Sequence, residues 1–348
     1  MKWTLIFIVL FSLIACNNQT VDNQLISNSK DTIQYSEKEL ISWLDSVGKL
    51  NPNIWVKKLT FLVDSTLKNQ IKLNRELDLT NYQKLKSIIK SGEIDLDFAK
   101  QIFPNLEIDS SLIKNNKLPI GFYSFDRNEK DFNEYAVSIG NENGFSWTND
   151  VYFFKLNKLI AKHKIFHRYG LELKHFKNEI NKTVIYYKVN YGSGTGVWWH
   201  QFNFYLYDKD ALLPALTEIE NINCQYTSGI RAYRIKSTIL NTKPLELKFV
   251  FDNHFVDTLG NAVDFIKDSV EVKYVFDTNK KIYEPKFSYG KLNSLKLLTY
   301  FLADNELLFV NVNYKLFKKE LNAKEQVKRQ IILNYLYDLK NRFSKEQN

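Results

Sequence analysis

The sequence predicts an α+β protein: a small helical N-terminal region, a larger and mostly antiparallel β region, and a C-terminal amphipathic helix. Three observations carry that prediction. Helix-cap signals and a 3.6-residue apolar period fall between about residues 35 and 104. After Pro104 the period drops to two and turn residues become frequent. Near the end, Val327, Ile331, Ile332, Tyr335, Leu336, Leu339 and Phe343 form one apolar stripe. With 44% hydrophobic and 15% aromatic residues in 348, the chain can bury a sizeable core.

The chain opens MKWTLIFIVLFSLIAC, with Lys2 ahead of an apolar run from Trp3 to Ala15. That run is shorter than the roughly 20 residues a membrane-spanning helix needs, so it reads as a secretory signal. Its end, Leu13-Ile14-Ala15-Cys16, resembles the lipobox of bacterial lipoproteins. The resemblance implies cleavage before Cys16, lipidation of Cys16 and attachment to a membrane through that lipid. Several acyl chains on one residue would give a stable anchor, whereas one holds only marginally. An Asp after the cysteine favours inner-membrane retention in such lipoproteins, so Asn17 implies a cell-envelope location at the outer membrane. The resemblance covers only this signal, and residues 17–348 are read from their own chemistry.

No later stretch is long and uncharged enough to predict a transmembrane helix. Cys16 and Cys224 are the two cysteines, so a chain lipidated at Cys16 makes no internal disulfide. Cys224 reads as a small buried apolar residue. The net charge is +9, and from Lys315 to Asn348 nine Lys or Arg face four Asp or Glu. A secreted address argues against nucleic acid, leaving a solvated face or contact with acidic lipid or polymer.

In chain order, residues 17–34 are polar and Asn-, Gln- and Ser-rich, which predicts a flexible tether. Ser36-Glu37-Lys38-Glu39 matches a capping box and opens a helix with Leu40, Leu44 and Val47 on one face. A second amphipathic stretch runs from Ile54 to about Ile71. Thr80-Asn81-Tyr82-Gln83 predicts another helix start, with Leu85, Ile88 and Ile89 inside and Ser91-Gly92 as its stop. Asp95 caps a short helix ended by Pro104. Residues 35–104 are thus the helical region.

The β-rich domain is expected over 105–348. Its strands are Tyr135 to Ile139, Val151 to Leu156, Thr183 to Tyr191, Val197 to Tyr207, Ile230 to Leu240, Leu245 to Phe251 and Val270 to Phe276. The segments ELKFVFD at 246–252 and EVKYVFD at 271–277 echo one another, as two rungs of an antiparallel meander would. Glu306 to Phe317 reads as a further strand, and Asn322-Ala323-Lys324-Glu325 as the start of a helix over 322–343.

The stretch YGSGTGVWWHQF, 191–202, lies between two strand signals and matches neither phosphate-loop glycine pattern, so it reads as a hairpin turn. Beyond it, Trp198, His200, Phe202, Phe204 and Leu206 alternate onto one face, expected to be core. The other face carries Trp199, Gln201, Asn203, Tyr205 and Tyr207, flat aromatics among amides. That mixture suits stacking on a sugar ring while hydrogen-bonding its hydroxyls, and this row is the candidate ligand platform.

Catalytic and metal signatures are weaker. His163 and His167 share a face, but Lys162, Lys164 and Arg168 surround them and His-Glu-x-x-His is absent, so the histidines read as ordinary exposed or partly buried residues. Asp126, Glu129, Asp131 and Glu134 cluster, with Lys130 where a calcium loop needs oxygen. No Gly-x-Ser-x-Gly elbow occurs. The expectation is therefore no cofactor, no metal and no catalytic residue. The chain reads as a lipid-anchored envelope protein with a non-enzymatic binding or structural role, its partner a saccharide or an envelope protein. The alternative is an enzyme acting on envelope glycans or peptides, with histidines and carboxylates brought together by folding.

Overall fold

A computed structural model describes residues 35–52, 71–126, 132–140, 148–167, 170–192, 197–224, 231–256, 260, 262–287 and 306–346. The lipobox, the tether, the amphipathic stretch from Ile54, the glycine turn at 193–196, and Glu129 and Asp131 lie outside the described residues. Two compact units emerge, Met1–Ser36 and Glu37–Asn348, and all elements below belong to the second.

Helix α1 (Glu37–Gly48) buries Leu40, Leu44 and Val47, as their spacing predicts. Strand β1 (Ile71–Glu76) follows, then α2 (Leu79–Ile88). The cap of α2 is Asp78, whose carboxylate accepts from Asn81 N at 2.8 Å, two residues before the expected Thr80. An Asp oxygen in extended conformation satisfies the free amides as well as a threonine and also complements the helix dipole. The helix runs into a 3₁₀ turn closed by Gly92 in the left-handed region at φ 73°. After β2 (Glu93–Asp95), Asp95 caps α3 (Leu96–Ile102) as expected.

Strands β3 (Lys117–Ser124), β4 (Glu134–Ile139), β5 (Thr148–Lys155) and β6 (Lys158–Phe166) complete a six-stranded antiparallel sheet, ordered β1-β6-β5-β4-β3-β2. β1 and β2, from the stretch read as helical, are thus its two edges. Helices α2 and α3 cover one face, where Leu85, Phe98, Ile102 and Phe103 pack on Tyr135, Tyr152 and Phe154. The 35–104 stretch is consequently mixed. Its first helix instead contacts the chain's end, with Asn311 Nδ2 donating to the carbonyls of Val47 (2.7 Å) and Leu50 (2.9 Å).

The second sheet is an eight-stranded meander: β7 (Leu173–Lys177), β8 (Thr183–Gly192), β9 (Val197–Asp208), β10 (Ala211–Cys224), β11 (Arg231–Thr242), β12 (Leu245–Val256), β13 (Ala262–Asp277) and β14 (Ile282–Phe287). All seven expected strands are present, several of them longer than read. The two echo segments are neighbours, with Leu247 opposite Val272 and Phe249 opposite Val270. Odd residues of β8 and β9, including Ile185, Tyr187, Val189 and Tyr207, pack against Ala136, Val151, Phe153 and Ala161 of the first sheet.

The even face lies inside a curl. Tyr274 on β13 donates to Glu218 Oε1 on β10 at 2.8 Å, although three strand spacings, roughly 14 Å, would separate these strands in a flat sheet. Asp208, at the β9 end, holds both Lys182 of the β7–β8 hairpin and Lys281 of the β13–β14 hairpin. Hydrogen bonds from these two lysines outweigh burial and bring the Asp208 carboxyl down to about 2.

Residues 306–317 are not a strand: they form α4 (Glu306–Val312) and the start of α5 (Tyr314–Leu321). A short continuous apolar run does not distinguish buried strand from buried helix by period, and here Leu308, Phe309 and Val310 are all buried in helix. Helix α6 (Gln326–Glu346) starts four residues later than read. Ile331, Ile332, Tyr335, Leu336 and Leu339 are buried as predicted, but Val327, in the first turn, is 61% exposed and leaves the stripe. An aromatic cluster of Phe255, Phe265, Phe309, Phe317 and Tyr335 joins these helices to β12 and β13. Beside it, Arg231 is 3% exposed and lies 3.0 Å from the Glu306 carboxylate, which also accepts from the Tyr335 hydroxyl. Among the described residues no helix is long and apolar enough to cross a membrane.

Candidate functional site

The proposed platform row runs from solvent into the core. Trp199 is 40% exposed, and Gln201 and Asn203 are half-buried. The Tyr205 ring stacks on Tyr187 at 5.6 Å and packs on His163 at 4.5 Å. Tyr207 is buried, donates to the Tyr135 carbonyl at 3.2 Å, and is held protonated by burial. Tyr207 is therefore no ligand contact, because the first sheet covers that end of β9. Asn203 Oδ1 is engaged by Thr217 at 3.1 Å. Only Trp199 and, in part, Gln201 keep the openness a platform requires.

The opposite row, expected to be core, is core only at Phe204 and Leu206. Nearer the turn, Phe202 lines a pocket of about 340 Å³ inside the curl. Five strands and the residue before β7 build it: Glu172, Lys174 on β7, Tyr186 and Lys188 on β8, Phe202 on β9, Glu220 on β10, and Lys236 and Thr238 on β11. The antiparallel register places Lys188, Phe202 and Glu218 directly across β8, β9 and β10, so these three share one face. Beneath them the Ser237 hydroxyl donates to the Ile219 carbonyl at 2.6 Å and ties β11 to β10.

Charge is concentrated here. Lys188 Nζ lies 3.7 Å from Glu220 Oε1, and His200 Nδ1 lies 3.3 Å from Glu220 Oε2. Burial raises the Glu220 carboxyl, but His200, Lys188 and Lys236 together hold it below its ordinary range. Glu218 behaves oppositely. Burial pushes it up to about 7, against the lowering effect of the Tyr274 hydrogen bond. At the rim Glu172 pairs with Lys174 at 2.9 Å, which raises the lysine. Tyr186 stacks on Phe204 at 5.1 Å and meets Phe202 edge-on at 6.1 Å, giving an aromatic floor.

Sequence reasoning missed Lys188, Glu218, Glu220 and Lys236 because they lie on three different strands, β8, β10 and β11, and meet only through register and curl. Their one legible signal was charge on inward positions of otherwise apolar strands, a costly placement that needs pairing.

The other candidates are structural. His163 and His167 are both buried rather than exposed. The β5–β6 pair is covered by the second sheet, so His163 Nδ1 sits 2.9 Å from the Tyr187 hydroxyl, and burial brings its pKa down to about 3. His167 Nε2 lies 2.9 Å from Asn149 Oδ1. Among the described residues no three His, Cys, Asp or Glu side chains converge as metal ligands would. Asp126 closes its loop by accepting from Asn133 N at 2.8 Å, and Cys224 is buried.

Fold and site together define an α+β protein of two packed antiparallel sheets, with a polar, aromatic-floored pocket in the curl of the second. Comparison with known protein families, curated proteins and solved structures finds no match.

Proposed function

We propose that this chain is a lipid-anchored protein of the cell envelope, attached through Cys16 at the outer membrane, which binds an acidic saccharide in the pocket of the curled sheet. Anchoring rests on the lipobox resemblance. Binding rests on one observation: three lysines, Lys174, Lys188 and Lys236, surround an aromatic floor together with two carboxylates, Glu172 and Glu220. Small-molecule pockets of about 300–1,000 Å³ are usually lined mainly by apolar groups. This one is near the lower size limit and rich in charged donors and acceptors, which matches a small hydroxylated ligand. The ammonium excess favours a carboxylate on that ligand, and Tyr186 and Phe202 offer faces for its ring.

A titration of the mature chain, followed through the fluorescence of Trp198 and Trp199 on β9, tests the reading. Uronate-containing oligosaccharides should bind and their neutral counterparts should bind at least ten-fold more weakly. Lys188→Ala should weaken the uronate by about ten-fold, the value of one charge-assisted hydrogen bond. Equal binding of acidic and neutral sugars, or no effect of Lys188→Ala, contradicts it.

One observation favours a second reading, hydrolysis of a glycan. Glu220 lines the pocket, Glu218 lies two residues away on β10 beneath the Tyr274 hydroxyl, and their environments push the two carboxyls in opposite directions. Turnover of the bound saccharide, abolished by both Glu218→Gln and Glu220→Gln while binding persists, would replace the binding reading with this one.

A further inference from the structure

The turn between α5 and α6 gathers features that the pocket does not use. Lys324 lies in it, Lys319 just before it on α5, and Lys315 one helical turn before Lys319; all three are exposed and have no ion pair among the described residues. Neighbouring cations differ: Lys318 pairs with Asp45 at 2.9 Å, Lys328 with Glu320 at 2.7 Å, and Arg329 with Glu37. Those contacts neutralise three carboxylates and leave Glu325 alone against the three free lysines. Lysines in the last turn of a helix complement its dipole, which accounts for Lys318 and Lys319. It does not account for Lys315, in the first turn of α5, for Lys324, beyond the helix, or for Val327, 61% exposed in the first turn of α6.

The chain enters the described fold at the same place. Glu37, the first residue of α1, is held by Arg329 in the first turns of α6. Cys16 lies 21 residues earlier in the sequence. Even fully extended, 21 residues reach at most about 75 Å, so a lipid on Cys16 limits how far the start of α1, and the tip bound to it, can stand from the bilayer.

We infer that the α5–α6 tip is the membrane-facing end of the protein, resting on anionic lipid headgroups through Lys315, Lys319 and Lys324 with Val327 at the interface. The inference rests on the lipid-anchor reading. Each lysine near an anionic surface strengthens association about five-fold, so three act as a real second attachment beside the acyl chains. A single exposed valine adds little alone, but it is the side chain that such a tip would lower between headgroups.

The test uses the mature protein purified from membranes and reconstituted into vesicles of phosphatidylcholine, with or without one-third phosphatidylglycerol. Hydrogen exchange over residues 322–330 is the readout. Exchange should slow at least five-fold with phosphatidylglycerol only, and a variant carrying Lys315→Glu, Lys319→Glu and Lys324→Glu should lose that protection. Equal exchange in the two vesicles, or protection that survives the triple variant, overturns the inference. The mass of the N-terminal peptide separates the two readings. Acylated Cys16 without tip protection defeats the docking surface alone, and an unmodified Cys16 defeats both it and the anchor.

Discussion

Glu306→Ala should destabilise the folded chain by about 3–5 kcal/mol at pH 7, the cost of removing one member of a buried ion pair. Arg231 is the other member. It is buried against β12, and Glu306 raises its affinity for the proton against the opposing effect of burial. Its neighbours include the Asn253 amide oxygen at 3.3 Å and the rings of Phe309 at 4.1 Å and Tyr233 at 5.2 Å, all of them uncharged. A guanidinium cannot escape by losing its proton. Replacing both members, Arg231→Met with Glu306→Leu, should cost far less than Glu306→Ala, because no ion remains to be desolvated. Urea unfolding of the three proteins checks this. A loss below about 1 kcal/mol for Glu306→Ala would mean water reaches Arg231.

His163 should make the protein acid-labile. Burial holds its folded pKa at about 3, while the unfolded chain titrates it near its ordinary value of 6.5. Between those values the unfolded state binds the extra proton, so stability is complete above pH 6.5 and falls as pH drops toward 3. The slope is about 1.4 kcal/mol per pH unit, hence a loss of about 3 kcal/mol by pH 4.5. Glu218 works the other way. Its folded pKa is raised, so its contribution is complete below about 4.5 and declines as pH rises toward 7. The informative quantity is therefore the difference between parent and His163→Gln, which keeps a hydrogen-bond acceptor near Tyr187 without the charge. From pH 7 to 4.5 the variant should gain about 3 kcal/mol relative to the parent. Parallel pH profiles would show that His163 takes up its proton inside the fold.

The α+β class and every expected strand from Tyr135 to Phe276 were legible, because alternation along a half-buried strand is a local property. The Ser36 start of α1 and the Asp95 cap were legible for the same reason, since capping needs only a few neighbouring residues. What failed was decided at long range. Leu307 to Val310 is equally apolar as strand or helix, and its packing on Phe265 and Phe317 chooses helix. β1 and β2 join the first sheet as edges, and no local pattern announces an edge partner.

The candidate site followed the same division. Alternation separated the two faces of β9 correctly, but which face meets the first sheet depends on packing. Tyr205 and Tyr207 were therefore assigned to solvent while Phe202 was assigned to core. The pocket itself requires the curl fixed by Tyr274, Glu218 and Asp208, whose contacts span residues 182–281.

The central claim is that an acidic saccharide occupies that curl and not the Trp199 face. Its most direct test is the unfolding midpoint of the mature chain with neutral, acidic and amino saccharides, since a ligand that binds only the folded state raises the midpoint. The acidic members alone should raise it, equally in Trp199→Ala and in the parent, and not at all when Lys188→Glu and Lys236→Glu are combined. A shift lost in Trp199→Ala and kept in the double lysine variant would move the ligand to the other face of β9 and contradict the account.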